Sequence, residues 1–149
     1  MQLTEGEPST PQPGCKISVN VVSAQYLTPG YSPNFDGLID PFVEIILSSG
    51  EVKEQVVGKT KLVRNNGFNP IFNENFEINV PSPEISMLTF TVKKKDEIRG
   101  EECLAYSSIP ITCLRPGFRT IGLHDMEGKQ HGDFEFSSLF VKIHFDLLG

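Results

Sequence analysis

The sequence lacks tryptophan, has few cysteines and contains no long hydrophobic run. A helix that spans a bilayer needs roughly 18 consecutive apolar residues, and no segment approaches that length. The N-terminal residues also lack the basic start and apolar run of a signal peptide. The three cysteines, Cys15, Cys103 and Cys113, are odd in number and have no metal-binding spacing. We therefore expect free, buried thiols in a reducing cytosol.

Catalytic motifs are missing as well. His124, His131 and His144 stand alone rather than in an HxxxH or CxxC pattern. The chain has no GxSxG sequence, no phosphate-binding loop and no dinucleotide-binding fingerprint. We predict no catalytic residues, and hence a chain that is not an enzyme by itself.

The length and the charge narrow the choice of partners. A chain of 149 residues fits one domain with a core of its own. Its net charge of -6 means that the whole molecule is repelled by nucleic acid and by anionic lipid. We expect no nucleic-acid partner, and binding to anionic lipid would require a local basic patch.

Short segments of alternating apolar and polar residues follow one another after Gly14. In residues 72–80, for example, Phe76, Ile78 and Val80 alternate with polar residues, as a half-buried strand requires. About eight such segments are separated by turn residues, and scattered Pro argues against long helices. We predict a flexible linker or leader over residues 1–14. Residues 15–149 are predicted to form one all-β domain, an eight-stranded antiparallel Greek-key β-sandwich.

Five local motifs, in order along this domain, resemble one family. They are Asp40-Pro41-Phe42-Val43, the NNGFNP turn of residues 65–70, the LTFTV strand of residues 88–92, the PGFRTIGL stretch of residues 116–123 and the closing SLFV of residues 138–141. Together they resemble the C2 domain of the phosphoinositide-specific phospholipases C, with Phe72 where that family usually has Trp.

This resemblance implies a cytoplasmic, peripheral membrane module that docks an enzyme onto anionic phospholipid. It also implies that the partners are the phospholipid membrane and the catalytic barrel of a parent phospholipase, with the module itself a monomer. The barrel needs roughly 250 residues, so this chain cannot contain it. The alternative is a scaffold of the same fold that binds protein, either the barrel or an external partner, without calcium or lipid.

Calcium is the cofactor that the resemblance implies, because many members of the family hold it between loops at one end of the sandwich. The matching carboxylates in this sequence are Asp36, Asp40, Asp96 and Glu102. Lys94 replaces one family carboxylate, and an ammonium about 4 Å from a calcium ion costs roughly 8 kcal/mol at an effective dielectric constant of 20. A full multi-ion site, a single weak site and no calcium binding all remain open.

Basic and aromatic residues supply the candidate lipid contacts. Lys93, Lys94 and Lys95 form the one concentrated basic run, with Arg99 close behind. Lysines near an anionic bilayer contribute about 1 kcal/mol each, although such a run is also typical of a solvated strand end. Lys53, Lys59 and Lys61 form a second basic strip on the predicted third strand. Tyr31 and Phe35 are the candidates for insertion at the membrane interface.

Overall fold

The computed structural model describes residues 14–25, 40–49, 52–63, 69–96, 100–124 and 137–147. Within these ranges the chain forms eight β-strands and two single-turn 3-10 helices, Pro83–Ile85 and Ile111–Cys113. The strands are β1 (Cys15–Gln25), β2 (Pro41–Ser49), β3 (Val52–Lys59), β4 (Ile71–Val80), β5 (Ser86–Asp96), β6 (Gly100–Pro110), β7 (Gly117–Gly122) and β8 (Ser138–Leu147). None of the described helices is long and apolar enough to cross a membrane.

The strands form two four-stranded antiparallel sheets. One sheet has the order β4-β1-β8-β7 and the other has the order β3-β2-β5-β6. Three connections, β2 to β3, β5 to β6 and β7 to β8, join hydrogen-bonded neighbours, while the others pass from one sheet to the other. The predicted eight-stranded antiparallel sandwich is confirmed. The strand around the LTFTV segment is longer than that motif, since β5 continues through the lysine run to Asp96.

The core lies between the sheets and follows from the alternation of side chains along each strand. Ile17, Val19 and Val21 of β1 are fully buried and alternate with half-buried polar residues. Leu88, Phe90 and Val92 are likewise fully buried on β5. The two sets belong to different sheets and to one cluster, so each sheet covers the apolar face of the other.

One end of the sandwich, here named the loop end, collects the segments that the sequence marked as functional. There β1 ends at Gln25 beside Ser138, and β2 begins at Pro41 beside Lys94. Backbone bonds from Val63 to Pro41 and from Ala24 to Pro70 bring the end of β3 and the start of β4 to the same place. Asp40 and the lysine run therefore meet as predicted, whereas residues 26–39 and 97–99 lie outside the described residues.

The three cysteines are free thiols in the structure. Cys15 is buried, Cys103 is half-buried and Cys113 is exposed. The prediction of buried thiols is therefore wrong for Cys113, which lies in the 3-10 turn that follows β6 rather than inside a strand. Burial raises the pKa of Cys103, which keeps this thiol in its protonated, less reactive form.

Candidate functional site

Lysines and glutamates interleave on the outer face of the β3-β2-β5-β6 sheet at the loop end. Register places Glu44 of β2 opposite Lys59 of β3, and Lys95 of β5 opposite Glu101 of β6. Lys93 lies on the same face as Lys95 because side chains alternate along β5. We name this group the lysine strip: Glu44, Lys59, Lys93, Lys95 and Glu101.

Ion pairs connect the members of the lysine strip. Lys93 donates a hydrogen bond of 3.0 Å to Glu44, and Lys59 donates one of 3.0 Å to Glu101. The Lys93 ammonium also lies 3.8 Å from the Glu101 carboxylate. Three lysines face two glutamates, so the strip carries a net charge of +1 in a molecule whose overall charge is -6.

The pKa values in the strip follow from these contacts. Burial of the Lys93 ammonium opposes its charge, but the hydrogen bond and charge of Glu44, together with Glu101, raise the pKa of Lys93 above its ordinary value. The pKa of Glu101 is lowered, chiefly by the hydrogen bond from Lys59 and further by the charges of Lys93 and Lys95. Both groups therefore stay charged at neutral pH, and the strip keeps its positive excess.

A hollow of about 150 Å³ opens beside the strip at the loop end. Phe42 is buried there, and the Lys59 ammonium lies over its ring, 4.9 Å from the centroid. This is a favourable cation–π contact. We name the cavity the lysine hollow, and its lining is Phe42, Lys59, Thr60, Leu62, Lys95 and Glu101.

Two hydrogen bonds between Thr60 and the backbone of Val43 hold the wall of the lysine hollow in place. The buried Thr60 hydroxyl accepts a hydrogen bond of 2.8 Å from the Val43 amide, and the Thr60 amide donates to the Val43 carbonyl at 2.9 Å. These bonds fix the end of β3 against β2, so Lys59 is presented from a rigid sheet. Leu62 lines this hollow and is 40% exposed, and Ile71, at the start of β4, is 66% exposed at the same end of the sandwich.

Lys94 faces the other way from its two neighbours. Lys94 continues the series of every second residue formed by Leu88, Phe90 and Val92, so its side chain points toward the space between the sheets. It is only 8% exposed. Its ammonium lies 3.4 Å from Oε2 of Glu102, the residue directly opposite on β6. That buried oxygen makes no hydrogen bond, so the contact is an ion pair without hydrogen-bond geometry.

The predicted calcium ligands are only partly covered by the described residues, so calcium binding at this end stays a prediction. Calcium prefers six to eight oxygen ligands, many of them carboxylate. No group of three or more His, Cys, Asp or Glu side chains with described positions is arranged to hold a metal. Lys94 lies against Glu102 instead. Asp40 precedes the Pro41–Lys94 pair, Asp36 is outside the described residues, and only the backbone of Asp96 is described.

The predicted lipid-binding residues are found in different surroundings. Lys93 and Lys95 belong to the lysine strip, and Lys94 is buried. Tyr31, Phe35 and Arg99 lie outside the described residues, so their role stays a prediction. Sequence reasoning missed Glu44, Glu101 and the apolar wall of the lysine hollow. A hairpin that pairs Asp96 with Gly100 would have placed the lysine run opposite Glu101 and Glu102.

A family model described as C2 domain matches residues 15–126. The chain belongs to the C2 domain family. Human 1-phosphatidylinositol 4,5-bisphosphate phosphodiesterase delta-1 is 30% identical over 128 residues, which cover 86% of this chain and 16% of that protein. The human inactive phospholipase C-like protein 1 is 40% identical over 108 residues, which cover 71% of this chain and 9% of that protein. The predicted relation to the C2 domains of phosphoinositide-specific phospholipases C is thus confirmed.

Solved structures of other proteins share the fold. A C2 domain of plant extended synaptotagmin 1 superposes with a TM-score of 0.71 at 24% identity, covering 93% of this chain and 98% of that one. Human GIVD cytosolic phospholipase A2, in complex with an inhibitor and terbium chloride, gives a TM-score of 0.68 at 17% identity, covering 92% of this chain and 18% of that one. At these identities the likeness supports the sandwich and nothing finer. The chain spans less than a fifth of the length of the two phospholipase C relatives described above.

Proposed function

We propose that this C2 domain is the non-catalytic docking module of a phosphoinositide-specific phospholipase C or of one of its inactive relatives. It attaches peripherally to anionic phospholipid, on the cytoplasmic side, through the loop end. The observation that carries the proposal is the lysine strip, where a net positive charge borders an open hollow in an otherwise acidic molecule. Such a polarised charge distribution turns the loop end toward an anionic surface.

The lysine hollow suits a phospholipid surface in two further respects. Lys59 and Lys95 border it, so a lipid phosphate can accept hydrogen bonds from both ammonium groups. Leu62 and Ile71 expose apolar surface at the same end, where they can contact the acyl boundary of a bilayer. Because the strip holds a net charge of only +1, we expect weak binding that falls as salt is added.

Co-sedimentation with liposomes tests the proposal directly. We expect the domain to pellet with phosphatidylserine-containing vesicles at low salt, less at high salt, and not with pure phosphatidylcholine. Chelation of calcium is expected to leave this binding unchanged. Failure to pellet with any acidic lipid would contradict the docking function.

Replacing Glu101 by glutamine is expected to tighten this lipid binding by about fivefold. Glu101 pairs with Lys59 and lies near Lys93, so its loss raises the net charge of the lysine strip from +1 to +2, comparable to adding one lysine near the bilayer. Liposome titration at low salt measures the change. The matched control is Glu77→Gln, which removes the same charge from a pair with Lys16 on the other sheet. Equal tightening by both variants would show that overall charge, not the strip, controls binding.

Protein binding is a second candidate, favoured by an exposed aromatic pair on the opposite sheet. Phe118 of β7 is 59% exposed and stacks on Phe140 of β8, with ring centroids 5.4 Å apart. The Lys142 ammonium lies 5.2 Å above the Phe118 ring. An exposed aromatic next to a cation is typical of protein contact surfaces. A domain that ignores acidic liposomes but loses a protein partner on Phe118→Ala would support this function instead.

A further inference from the structure

Lys94 occupies an unusual position for a lysine. It continues the inward-facing series of Leu88, Phe90 and Val92, and it lies where this series reaches the loop end. Lysine is almost never buried without a partner, because its charge would lose hydration. A lysine that is only 8% exposed at the edge of the core therefore indicates that its positive charge balances a negative charge nearby.

Register places acidic residues next to Lys94 on the two neighbouring strands. Glu102 of β6 contacts it at 3.4 Å. Asp40 directly precedes Pro41, which is the register partner of Lys94 on β2. The neighbouring Lys95, by contrast, is exposed and lies on the outer face with the lysine strip.

The buried Oε2 atom of Glu102 accepts no hydrogen bond, so its charge is costly unless a cation lies beside it. Either a metal ion or a side-chain ammonium can supply that charge. An ammonium carried by β5 is always present, whereas a metal ion must be taken from solution. The lysine ammonium also repels any divalent cation that approaches the same carboxylate.

We propose that the Lys94 ammonium is a built-in cation that takes the place of calcium between the ends of β2, β5 and β6, so that the loop end keeps its arrangement without metal. This inference concerns metal binding alone and stands whether or not the domain docks on lipid. The wild-type domain is therefore insensitive to calcium. When a carboxylate replaces this ammonium, the loop end requires calcium to keep its arrangement.

Calcium titration of the wild-type domain and of Lys94→Asp tests the proposal. We expect no calorimetric heat and no shift of the thermal midpoint for the wild type in millimolar calcium chloride. Lys94→Asp is expected to unfold at a lower temperature in chelator, and to regain stability as calcium is added. Its calcium affinity is expected to exceed that of the wild type at least tenfold. Lys95→Asp makes the same charge change one residue away and is expected to stay insensitive to calcium.

Two results would overturn the proposal: a calcium-dependent heat in the wild type, or a folded Lys94→Asp that calcium does not stabilise. Lys94→Asn covers the case in which Lys94→Asp does not fold in chelator, because it removes the charge without adding a new one. This variant is expected to fold and to bind calcium more weakly than Lys94→Asp refolded in calcium. The proposal would also be contradicted if Lys94→Asn did not respond to calcium and Lys94→Asp did not refold when calcium was added.

Discussion

Replacing both Lys59 and Lys95 by glutamine is expected to weaken binding to anionic liposomes by about 30-fold. A lysine near an acidic bilayer contributes about 1 kcal/mol, and two such losses correspond to this factor. The double variant also reverses the sign of the lysine strip, because Lys93 then stands against both Glu44 and Glu101. Vesicle titration at low ionic strength measures the change, and added salt is expected to narrow the difference between variant and wild type.

The matched control is the double variant Lys16→Gln/Lys142→Gln. It changes the net charge by the same amount, but its two positions lie on β1 and β8 of the other sheet. We expect its liposome affinity to stay within about twofold of the wild type, since charges beyond a Debye length of roughly 10 Å are screened. If both double variants lost a comparable amount of liposome affinity, the lysine strip would not be the surface that binds lipid.

Replacing Phe90 by alanine is expected to lower the free energy of unfolding by about 3–5 kcal/mol. Phe90 is fully buried in the core, on the central strand β5, between its register partners Ile45 and Ser107. Truncation removes apolar contacts and leaves a cavity that the two stacked sheets cannot easily close. Urea denaturation measures the effect as a lower midpoint at an unchanged slope.

Phe118→Ala is the control for the same chemical change at the surface. Phe118 is 59% exposed and keeps mainly its stacking contact with Phe140. Its loss is expected to cost less than about 1.5 kcal/mol, the value of an aromatic pair. If the two alanine variants unfolded at the same urea concentration, the assignment of Phe90 to the shared core would be wrong.

Much of the fold could be predicted because strands repeat every two residues. The alternation of Leu88, Phe90 and Val92 specified both a strand and the side that faces the core. Alternation does not specify which strands pair. The order of strands depends on contacts between residues far apart in sequence, such as Gln25 with Ser138. A periodic pattern within one segment carries no information about such contacts.

The candidate site was predicted less completely, for a related reason. Lys93 and Lys95 lie on the outer face of the sheet, yet the same alternation that buries Val92 also turns Lys94 inward. Glu102 was assigned to calcium because its partner across the hairpin had not been considered. Ion pairs between Glu44 and Lys93 depend on the pairing of β2 with β5, which the sequence does not reveal.

Cys15 of β1 pairs in register with Leu147 of β8, at the opposite end of the sandwich from the lysine hollow. Any polypeptide that precedes or follows the domain therefore joins it there. The 11 residues of β1 extend roughly 35 Å at the usual rise of a strand. In the proposed docking mode a neighbouring domain would join at the end of the sandwich that faces away from the bilayer, and a reporter protein fused at that end would not obstruct the loop end.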